Sequence, residues 1–553
     1  MTEPHDDVRR LAEDYWESYL AAQPTEAHLL GRYDRAGEFE DASREAEDAR
    51  IAELREFVRR AEAVDADLLD EQDRLTRDVL VSDAGTNADL LEQRLAEVSA
   101  DPIFGPQISM PIVMGMLALP NAEVADALVD KLRGVGRGYH QLADRHREGA
   151  ARGRYPAAFA VQDTVTQLDA LLATPVADDP LLRTTPPPEG LDVDAWRARL
   201  RDAVESDVRP GMEAFRDVLR DEVLPNARPD DRCGLGSLDG GDAAYAAALR
   251  LFTTTDKSAQ EIHDIGLAQV AKLADEYRAL GPEVAGSDDL QQIFEAMRSD
   301  PALHFSTGEQ LVEASEVAMD RAWDAMPAWF SVLPQARCAV QPTSTGAKAF
   351  YFPPAADGSR GGTFFVNVAD PTSWGTFELE AMAFHEGIPG HHLQLAIASE
   401  LHDVPELRKH IVNSAYAEGW GLYTERLADE MGLYSGPVDR MGMYAADSMR
   451  ACRLVVDTGL HALGWSREQA VRFMVENSPL AEGVVRPEVD RYVVTPGQAT
   501  SYMIGRLEIQ RMRAEAEARQ GDRFDVKAFH DAVLGSGGMP LGVLDAHVAR
   551  RLA

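Results

Sequence analysis

Apolar residues recur every three or four positions over long parts of the chain, which is the spacing of one buried face of an α-helix. Near the amino terminus the pattern is clear at Leu11, Tyr15 and Tyr19, with acidic and arginine side chains between them. Turn-forming stretches at 184–190 and 234–241 interrupt it. The spacing predicts helices over 6–100, 122–147, 160–173, 193–223, 242–280, 376–433, 441–463, 467–477, 502–519 and 526–534.

Strand-like segments occur together in one part of the chain. Residues 338–342, 347–352 and 363–368 are rich in aromatic and β-branched side chains and are separated by glycine and proline. We therefore predict a mainly α-helical fold with one small β-sheet. An amino-terminal helical lobe would span residues 1–330, and residues 331–553 would form a second lobe with the sheet and the chemistry, both within one integrated domain.

The charge of the chain excludes several classes of partner. Asp and Glu outnumber Lys and Arg by 93 to 55, a net charge of −38 that repels nucleic acid and anionic lipid. The longest apolar run, 110–120, is too short to span a bilayer, and the acidic amino terminus lacks a signal-peptide core. Three scattered cysteines without CxxC spacing, Cys233, Cys338 and Cys452, suggest buried free thiols. We expect a cytoplasmic protein that binds neither nucleic acid nor membrane; the sequence carries no signal for its oligomeric state.

The segment FHEGIPGHHLQ at 384–394 holds the most informative chemistry. In the HExxH pattern of zinc hydrolases, two histidines one helical turn apart bind the metal, and the glutamate takes a proton from metal-bound water. His385 and Glu386 match the first two positions, but Pro389 stands where the second histidine belongs. The segment is therefore a variant of the pattern, and its alternative interpretation is a polar helix end that binds no metal.

Pro389 and Gly390 suggest how a second histidine could still reach the metal. Proline removes a backbone donor and clashes with the preceding turn, and glycine tolerates unusual backbone angles, so the helix should bulge between Ile388 and His391. A bulge would bring His391 to the missing position. On an uninterrupted helix His392 would return to the same face instead, so it remains the alternative ligand.

A second helical segment, AYAEGWGLYTER at 415–426, supplies carboxylates. Glu418 and Glu425 are seven residues apart and so lie on one helix face, among aromatic side chains that disfavour full exposure. Glu418 fits a third metal ligand, and Glu425 fits a residue that accepts a hydrogen bond from a ligand imidazole and orients it. The reverse assignment stays open.

The predicted helix at 441–463 carries a polar stripe on an otherwise apolar sequence. Its members are Arg450, Arg453, Asp457 and His461. Asp457 lies one turn before His461 and could orient it, which would make His461 a donor to the oxyanion of a hydrolytic intermediate. Arg453 could bind substrate. The alternative is a buried structural His–Asp pair.

Four residues near the carboxyl end and one on a predicted strand complete the candidates. Tyr492 and Tyr502 could donate phenolic hydrogens to an intermediate or bind substrate, and Gln498 or Arg506 could hold a substrate carboxylate or carbonyl. Asn367 lies on the strand at 363–368, whose exposed edge could pair with an extended peptide.

Four motifs together resemble the bacterial family called domain of unknown function 885. They are HExxPGHHLQ from His385, AEGWGLYxE from Ala417, VVDxGxH from Val455 and RYxxxPGQAxSY from Arg491. That family in turn looks like a distant relative of the mostly helical gluzincin metallopeptidases, whose two lobes flank a cleft. The resemblance implies one Zn²⁺ ion held by His385, a second histidine and Glu418. It also implies Glu386 as general base and His461 and Tyr502 as transition-state donors.

We therefore expect a zinc-dependent peptidase that cleaves short peptides at an undetermined position. The same residues would suit a zinc amidase that acts on a small non-peptide amide. A helical metal- or peptide-binding protein without activity is the third reading, although the intact Glu386 argues against it.

Overall fold

The computed structural model describes residues 4–187, 189–354, 361–411 and 413–553. Pro188 and Val412, which fall inside predicted segments, lie outside the described residues. The chain is mainly α-helical with one small three-stranded mixed sheet, as the sequence predicts.

Helices fill the chain before residue 330. Several of them begin at a residue whose side chain accepts a hydrogen bond from the first turn. Asn121 accepts a hydrogen bond from the backbone of Val124, and Ser258 and Thr307 form capping boxes. One π-helical turn, Val204–Val208, connects the α-helices at 193–203 and 209–217, and a second, Val218–Val223, follows them. Helical structure therefore covers 193–223, as predicted. The helices are α1 Pro4–Ala22, α2 Pro24–Leu29, α3 Arg44–Glu62, α4 Glu71–Glu92, α5 Pro106–Met116, α6 Ala122–Ala151, α7 Ala158–Ala173, α8 Val193–Ala203, α9 Arg209–Asp217, α10 Gly241–Thr253, α11 Ala259–Val284, α12 Leu290–Ser299 and α13 Gly308–Trp329.

The sheet contains β1 (Ala339–Thr343), β2 (Ala349–Phe352) and β3 (Thr363–Asn367), in the order β1-β3-β2. β1 pairs with β3 in parallel and β2 pairs with β3 in antiparallel fashion. Because β3 is central, it has no free edge, and the prediction that a peptide pairs with the strand of Asn367 is wrong. Asn367 instead binds locally, through Gly346 and Ala369, and stabilises turns at the sheet end.

The carboxyl-terminal helices carry the candidate chemistry. They are α14 Glu378–Glu386, α15 His391–Glu400, α16 Glu406–His410, α17 Ser414–Glu430, α18 Pro437–His461, α19 Arg467–Asn477, α20 Glu482–Val494, α21 Ser501–Gln520, α22 Val526–Leu534 and α23 Leu541–Arg551. The stretch predicted over 376–433 is thus four helices, since the chain leaves helical geometry before His391, Glu406 and Ser414. Thr376, where the predicted stretch begins, is not part of a helix; its backbone N–H and hydroxyl both donate to the carbonyl of Leu303.

The largest hydrophobic core draws residues from both predicted lobes. Leu75 and Ile262 come from the amino-terminal helices, and Phe384 and Trp420 come from α14 and α17. A second core, between residues 36 and 223, is built by α5 to α9 and their neighbours. Of the cysteines, Cys233 and Cys452 are buried free thiols, as expected, and Cys338 is half-buried. Because α14 packs against both α17 and α18 within the larger core, the residues of the variant HExxH segment are held on a rigid support.

Candidate metal centre

A break between α14 and α15 brings two histidines together. α14 ends at Glu386 and α15 begins at His391, and the backbone N–H of His392 donates across the break to the carbonyl of Gly387. The imidazole of His391 thereby returns beside that of His385, with ring centroids 4.8 Å apart. The predicted bulge is therefore a full interruption that separates two helices.

The break tolerates only a residue without a side chain at its last position. A Cβ atom on Gly390 would lie 1.9 Å from the carbonyl oxygen of His385, far inside van der Waals contact. The neighbouring carbonyl of Pro389 accepts a hydrogen bond of 3.0 Å from the indole of Trp420 on α17. The connection is thus tied to the helix that supplies the carboxylates.

Three side chains converge at this point. Oε2 of Glu418 lies 3.5 Å from Nε2 of His385 and 3.5 Å from Nε2 of His391, and all three atoms lie within 4.8 Å of one another. These distances are long for hydrogen bonds. Zinc binds nitrogen and oxygen at about 2.0–2.2 Å, which places neighbouring tetrahedral ligands about 3.4 Å apart. The donor set and its spacing therefore fit a single zinc ion.

Glu425 orients His385. Its buried carboxylate accepts a hydrogen bond of 2.8 Å from Nδ1 of His385, which leaves Nε2 as the atom that faces Glu418 and His391. This partnership, common for metal-binding histidines, fixes the tautomer that a metal requires. The two carboxylates therefore differ in position, since Glu418 faces Nε2 of both histidines and Glu425 binds Nδ1 of His385.

The electrostatics of the group suit a cation. Burial by itself would lower the pKa of His385, but Glu418 and Glu425 raise it to about 9. Burial would raise the pKa of Glu418, yet His385 and His391 hold it well below its usual range. The site therefore stabilises positive charge beside its carboxylates, which is the charge that a divalent ion supplies when the histidines are neutral.

His392 is excluded as the alternative ligand. Its Nδ1 lies 2.9 Å from the hydroxyl of Tyr351 on β2, and its Nε2 lies 2.9 Å from the carbonyl of Ala336. Both ring nitrogens are therefore occupied, in a side chain that is fully buried. His391 and His392 are consecutive on α15 and so point in different directions, one to the metal group and the other to the sheet.

Glu386 follows His385 at the end of α14 and is only partly buried. Among the described residues its carboxylate makes no hydrogen bond or ion pair, although its charge is close enough to raise the pKa of His385. Its carboxylate is therefore a candidate general base, since no described residue holds it in a structural role.

The structure does not support the predicted role of His461. Its Nδ1 accepts a hydrogen bond from the backbone of Leu235, and its Nε2 donates one to the carbonyl of Tyr492, so neither nitrogen remains for an oxyanion. The expected pairing with Asp457 is also replaced, since this carboxylate binds the hydroxyl of Tyr245 and the backbone of Gly497. These residues join α18 to neighbouring segments and have a structural function.

Three predicted substrate-binding residues are likewise bound within the protein. The Tyr492 hydroxyl donates to Glu488 at 2.7 Å, and the Gln498 amide oxygen accepts from Arg491 at 2.7 Å. Arg506 pairs with the buried carboxylate of Asp447 and with Gln269. Helical spacing could have indicated Glu488 for Tyr492, because both lie on α20 four residues apart. The partners of Arg506 come from α18 and α11, which no local pattern shows.

Tyr502 does lie beside the metal group. Burial and then the charge of Glu418 raise its pKa, and its hydroxyl makes no hydrogen bond among the described residues. Its ring lies under the guanidinium groups of Arg450 and Arg453, at 5.9 and 4.6 Å from the ring centre. Tyr502 therefore retains a free donor near the site. In the sequence, Arg450 belongs to the polar stripe of α18. Its spacing of three residues from Arg453 places both arginines on one side of the helix.

A cavity of about 1310 Å³ lies among the amino-terminal helices, and none of the converging side chains His385, His391 and Glu418 lines it. Its wall includes Tyr15, Trp16 and Arg50 and extends to Asn413 and Ser414 at the start of α17. The Ser414 hydroxyl lies 2.8 Å from that of Ser501, the residue before Tyr502. The cavity therefore reaches the beginning of α17, one helical turn before Glu418, and Ser414 links its wall to the first residue of α21.

Comparison with known proteins assigns the family. The model described as "Bacterial protein of unknown function (DUF885)" matches residues 24–548. The chain belongs to this family. No curated protein matches it.

Two solved structures of bacterial proteins have the same fold as this family member. A "putative lipoprotein" from Colwellia psychrerythraea is 25% identical, with a TM-score of 0.90 and coverage of 100% of both chains. A "putative lipoprotein of unknown function" from Shewanella oneidensis is 17% identical, with a TM-score of 0.76 over 98% of this chain and 99% of its own. Among the described residues of the present chain, no helix has the length and apolar character needed to cross a bilayer.

The adjacent histidines provide a direct test of the metal group. His391→Ala should lose bound zinc, because it removes one of three converging ligand atoms, whereas His392→Ala should keep one ion per chain. Zinc content after dialysis, measured by atomic emission, distinguishes the two. Loss of zinc from the His392 variant alone would contradict the ligand assignment.

Gly421 allows His385 to lie against α17 between Glu418 and Glu425. A Cβ atom there would lie 2.7 Å from Cε1 of His385, so Gly421→Ala should displace the imidazole and weaken zinc binding at least tenfold. Gly483→Ala is the matched control, since no atom lies within 4 Å of its added methyl group. Competition with a chromogenic chelator measures the affinity; equal values for the two variants would refute this packing constraint.

His461 should make stability depend on pH. Burial lowers its folded-state pKa to about 4, against about 6.5 in the unfolded chain, so the unfolded state binds the proton first as the pH falls. The neutral imidazole makes its full contribution to the free energy of unfolding above pH 6.5. This contribution is lost toward pH 4, by roughly 1–2 kcal/mol between pH 6.5 and 5. His461→Gln should be less stable at pH 7 but should lose less on acidification. Urea unfolding at both pH values tests this, and parallel pH profiles would argue against a neutral buried imidazole.

Proposed function

We propose that this chain is a zinc-dependent hydrolase of short peptides, with the two-lobed arrangement of the helical gluzincin metallopeptidases. The observation that carries the proposal is the convergence of His385, His391 and Glu418 at tetrahedral spacing, with Glu425 holding the first imidazole. A structural ion cluster would not require the next residue, Glu386, to keep a carboxylate that no other described residue binds. Its placement instead favours catalysis.

When bound, zinc supplies the Lewis acidity that lowers the pKa of a coordinated water to about 7 and polarises a carbonyl. Glu386 would accept the proton of the attacking water and return it to the leaving amine. Tyr502 would donate its free hydroxyl hydrogen to the oxygen that gains negative charge, in place of the His461 donor that the resemblance implied. His385 would keep its tautomer through Glu425 during this cycle.

The shape of the surroundings supports small substrates. The cavity of about 1310 Å³ includes Ser414, one helical turn before Glu418, and it is larger than the usual 300–1,000 Å³ of a small-molecule site. A short peptide would fit there and extend toward the converging side chains. The lining of the cavity mixes aromatic residues such as Tyr15 and Trp16 with charged ones such as Arg50, which suits a peptide backbone and varied side chains. We propose on these grounds that peptides, and not compact small amides, are the substrates; the cytoplasmic location stays a prediction.

Glu386→Gln separates metal binding from turnover. The amide has the size of the carboxylate but cannot accept the proton, so we expect one zinc ion per chain and a fall in kcat of at least a hundredfold. Cleavage of a mixed peptide library, followed by mass spectrometry with and without chelator, provides the measurement. Glu476→Gln, an exposed glutamate on α19, is the control for loss of a negative charge. Undiminished turnover in the Glu386 variant would remove this residue from the mechanism.

A further inference from the structure

Two arginines of α18 lie over the ring of Tyr502, and one of them, Arg450, also lies near Glu425. Nη2 of Arg450 is 4.0 Å from Oε1 of Glu425, the oxygen that accepts the hydrogen bond from His385. Both guanidinium groups lie over the ring of Tyr502, that of Arg453 at 4.6 Å. A group bound by these arginines would therefore lie next to the proposed reaction centre.

These arginines have hydrogen-bond donors that the described residues do not satisfy. Arg450 is 8% exposed and Arg453 is 6% exposed, yet Nε of Arg450 and Nη1 of Arg453 have no acceptor. Nη2 of Arg450 is also beyond hydrogen-bond distance from Glu425. Buried donors on charged groups are costly to leave unpaired, so two of them on neighbouring arginines indicate an acceptor that the described residues do not supply.

The charges around Tyr502 favour an anion as that acceptor. Arg450, Arg453 and Arg491 are the cations, and the neighbouring carboxylates outside the metal group are Glu425 and Glu488. Glu425 is already bound to His385, and Glu488 is shared by two arginines and the hydroxyl of Tyr492. With a divalent cation at His385, the region has an excess of positive charge within a chain of net charge −38.

We propose that Arg450 and Arg453 bind a carboxylate of the substrate, in the first instance the free carboxyl terminus of a short peptide. A guanidinium group matches a carboxylate in planar, charge-assisted geometry, and two of them in one place can bind both oxygens. The inference rests on the proposed function for its choice of substrate. It restricts that function to cleavage close to the carboxyl end of the peptide, because the arginines and the metal group are adjacent.

Binding without catalysis tests the proposal. We would titrate zinc-free and zinc-loaded Glu386→Gln protein by calorimetry with N-acetyl-trialanine, with its carboxyl-terminal amide, and with N-acetyl-Ala-Ala-Glu amide. The free acid should bind at least tenfold more tightly than its amide in both forms of the protein. Tight binding of the glutamate amide would instead assign the arginines to a side-chain carboxylate. Equal, weak or absent binding of all three would overturn the proposal.

Lysine variants connect this preference with the arginines. Arg450→Lys and Arg453→Lys keep the charge but lose the planar fork, so each should reduce the preference for the acid at least fivefold. Arg440→Lys is the matched control, since Arg440 lies on the same helix and is paired with Asp429. The comparison of acid with amide uses protein in which both arginines are intact. The proposal can therefore be refuted even if an arginine variant folds poorly.

Failure of this inference differs from failure of the proposed function. Zinc-dependent cleavage of the acid and the amide at equal rates would keep the hydrolase and reject the carboxylate site. A preference for the acid in binding, together with no cleavage of any peptide, would keep the carboxylate site and reject the hydrolase.

Discussion

The candidate site depends on one contact, the imidazole of His385 held against α17. Glu418 and Glu425 lie on the same face of this helix, and Gly421 between them leaves the space that the ring occupies. One carboxylate faces Nε2 and the other binds Nδ1. Because both come from one rigid helix, a single packing contact determines the position, the tautomer and the electrostatic surroundings of the imidazole.

The interruption of the preceding helix complements this contact. An unbroken helix would carry His391 away from His385, whereas the turn through Pro389 and Gly390 returns it to the same point. The cost of broken helical geometry is offset where Trp420 binds the carbonyl of Pro389 and where His392 binds the sheet. The hydrogen bonds of Pro389 and His392, which flank His391 in the chain, therefore hold the imidazole of His391 in position. Nδ1 of that imidazole has no partner among the described residues.

The polar residues of α18 show how a buried stripe can be divided between structure and chemistry. Asp457 and His461, near its carboxyl end, bind backbone groups and a buried tyrosine and so join distant segments. Arg450 and Arg453, one to three turns earlier, keep unsatisfied donors near the metal group. Helical spacing placed all four on related faces, but only the neighbouring elements determine which of them is available to a ligand.

The sequence by itself determined the helical class, the small sheet, and the histidines and glutamates of the site, because these follow from local spacing and from the backbone limits of proline and glycine. It also placed Glu418 and Glu425 on one face. Only the tertiary structure decided between His391 and His392, freed Tyr502, and gave His461, Arg506 and Asn367 structural partners. The outcomes for His461 and Arg506 depend on hydrogen bonds between distant parts of the chain, such as that from Leu235 to His461 across 226 positions, which no local pattern encodes. That for Asn367 depends on the central place of its strand in the sheet.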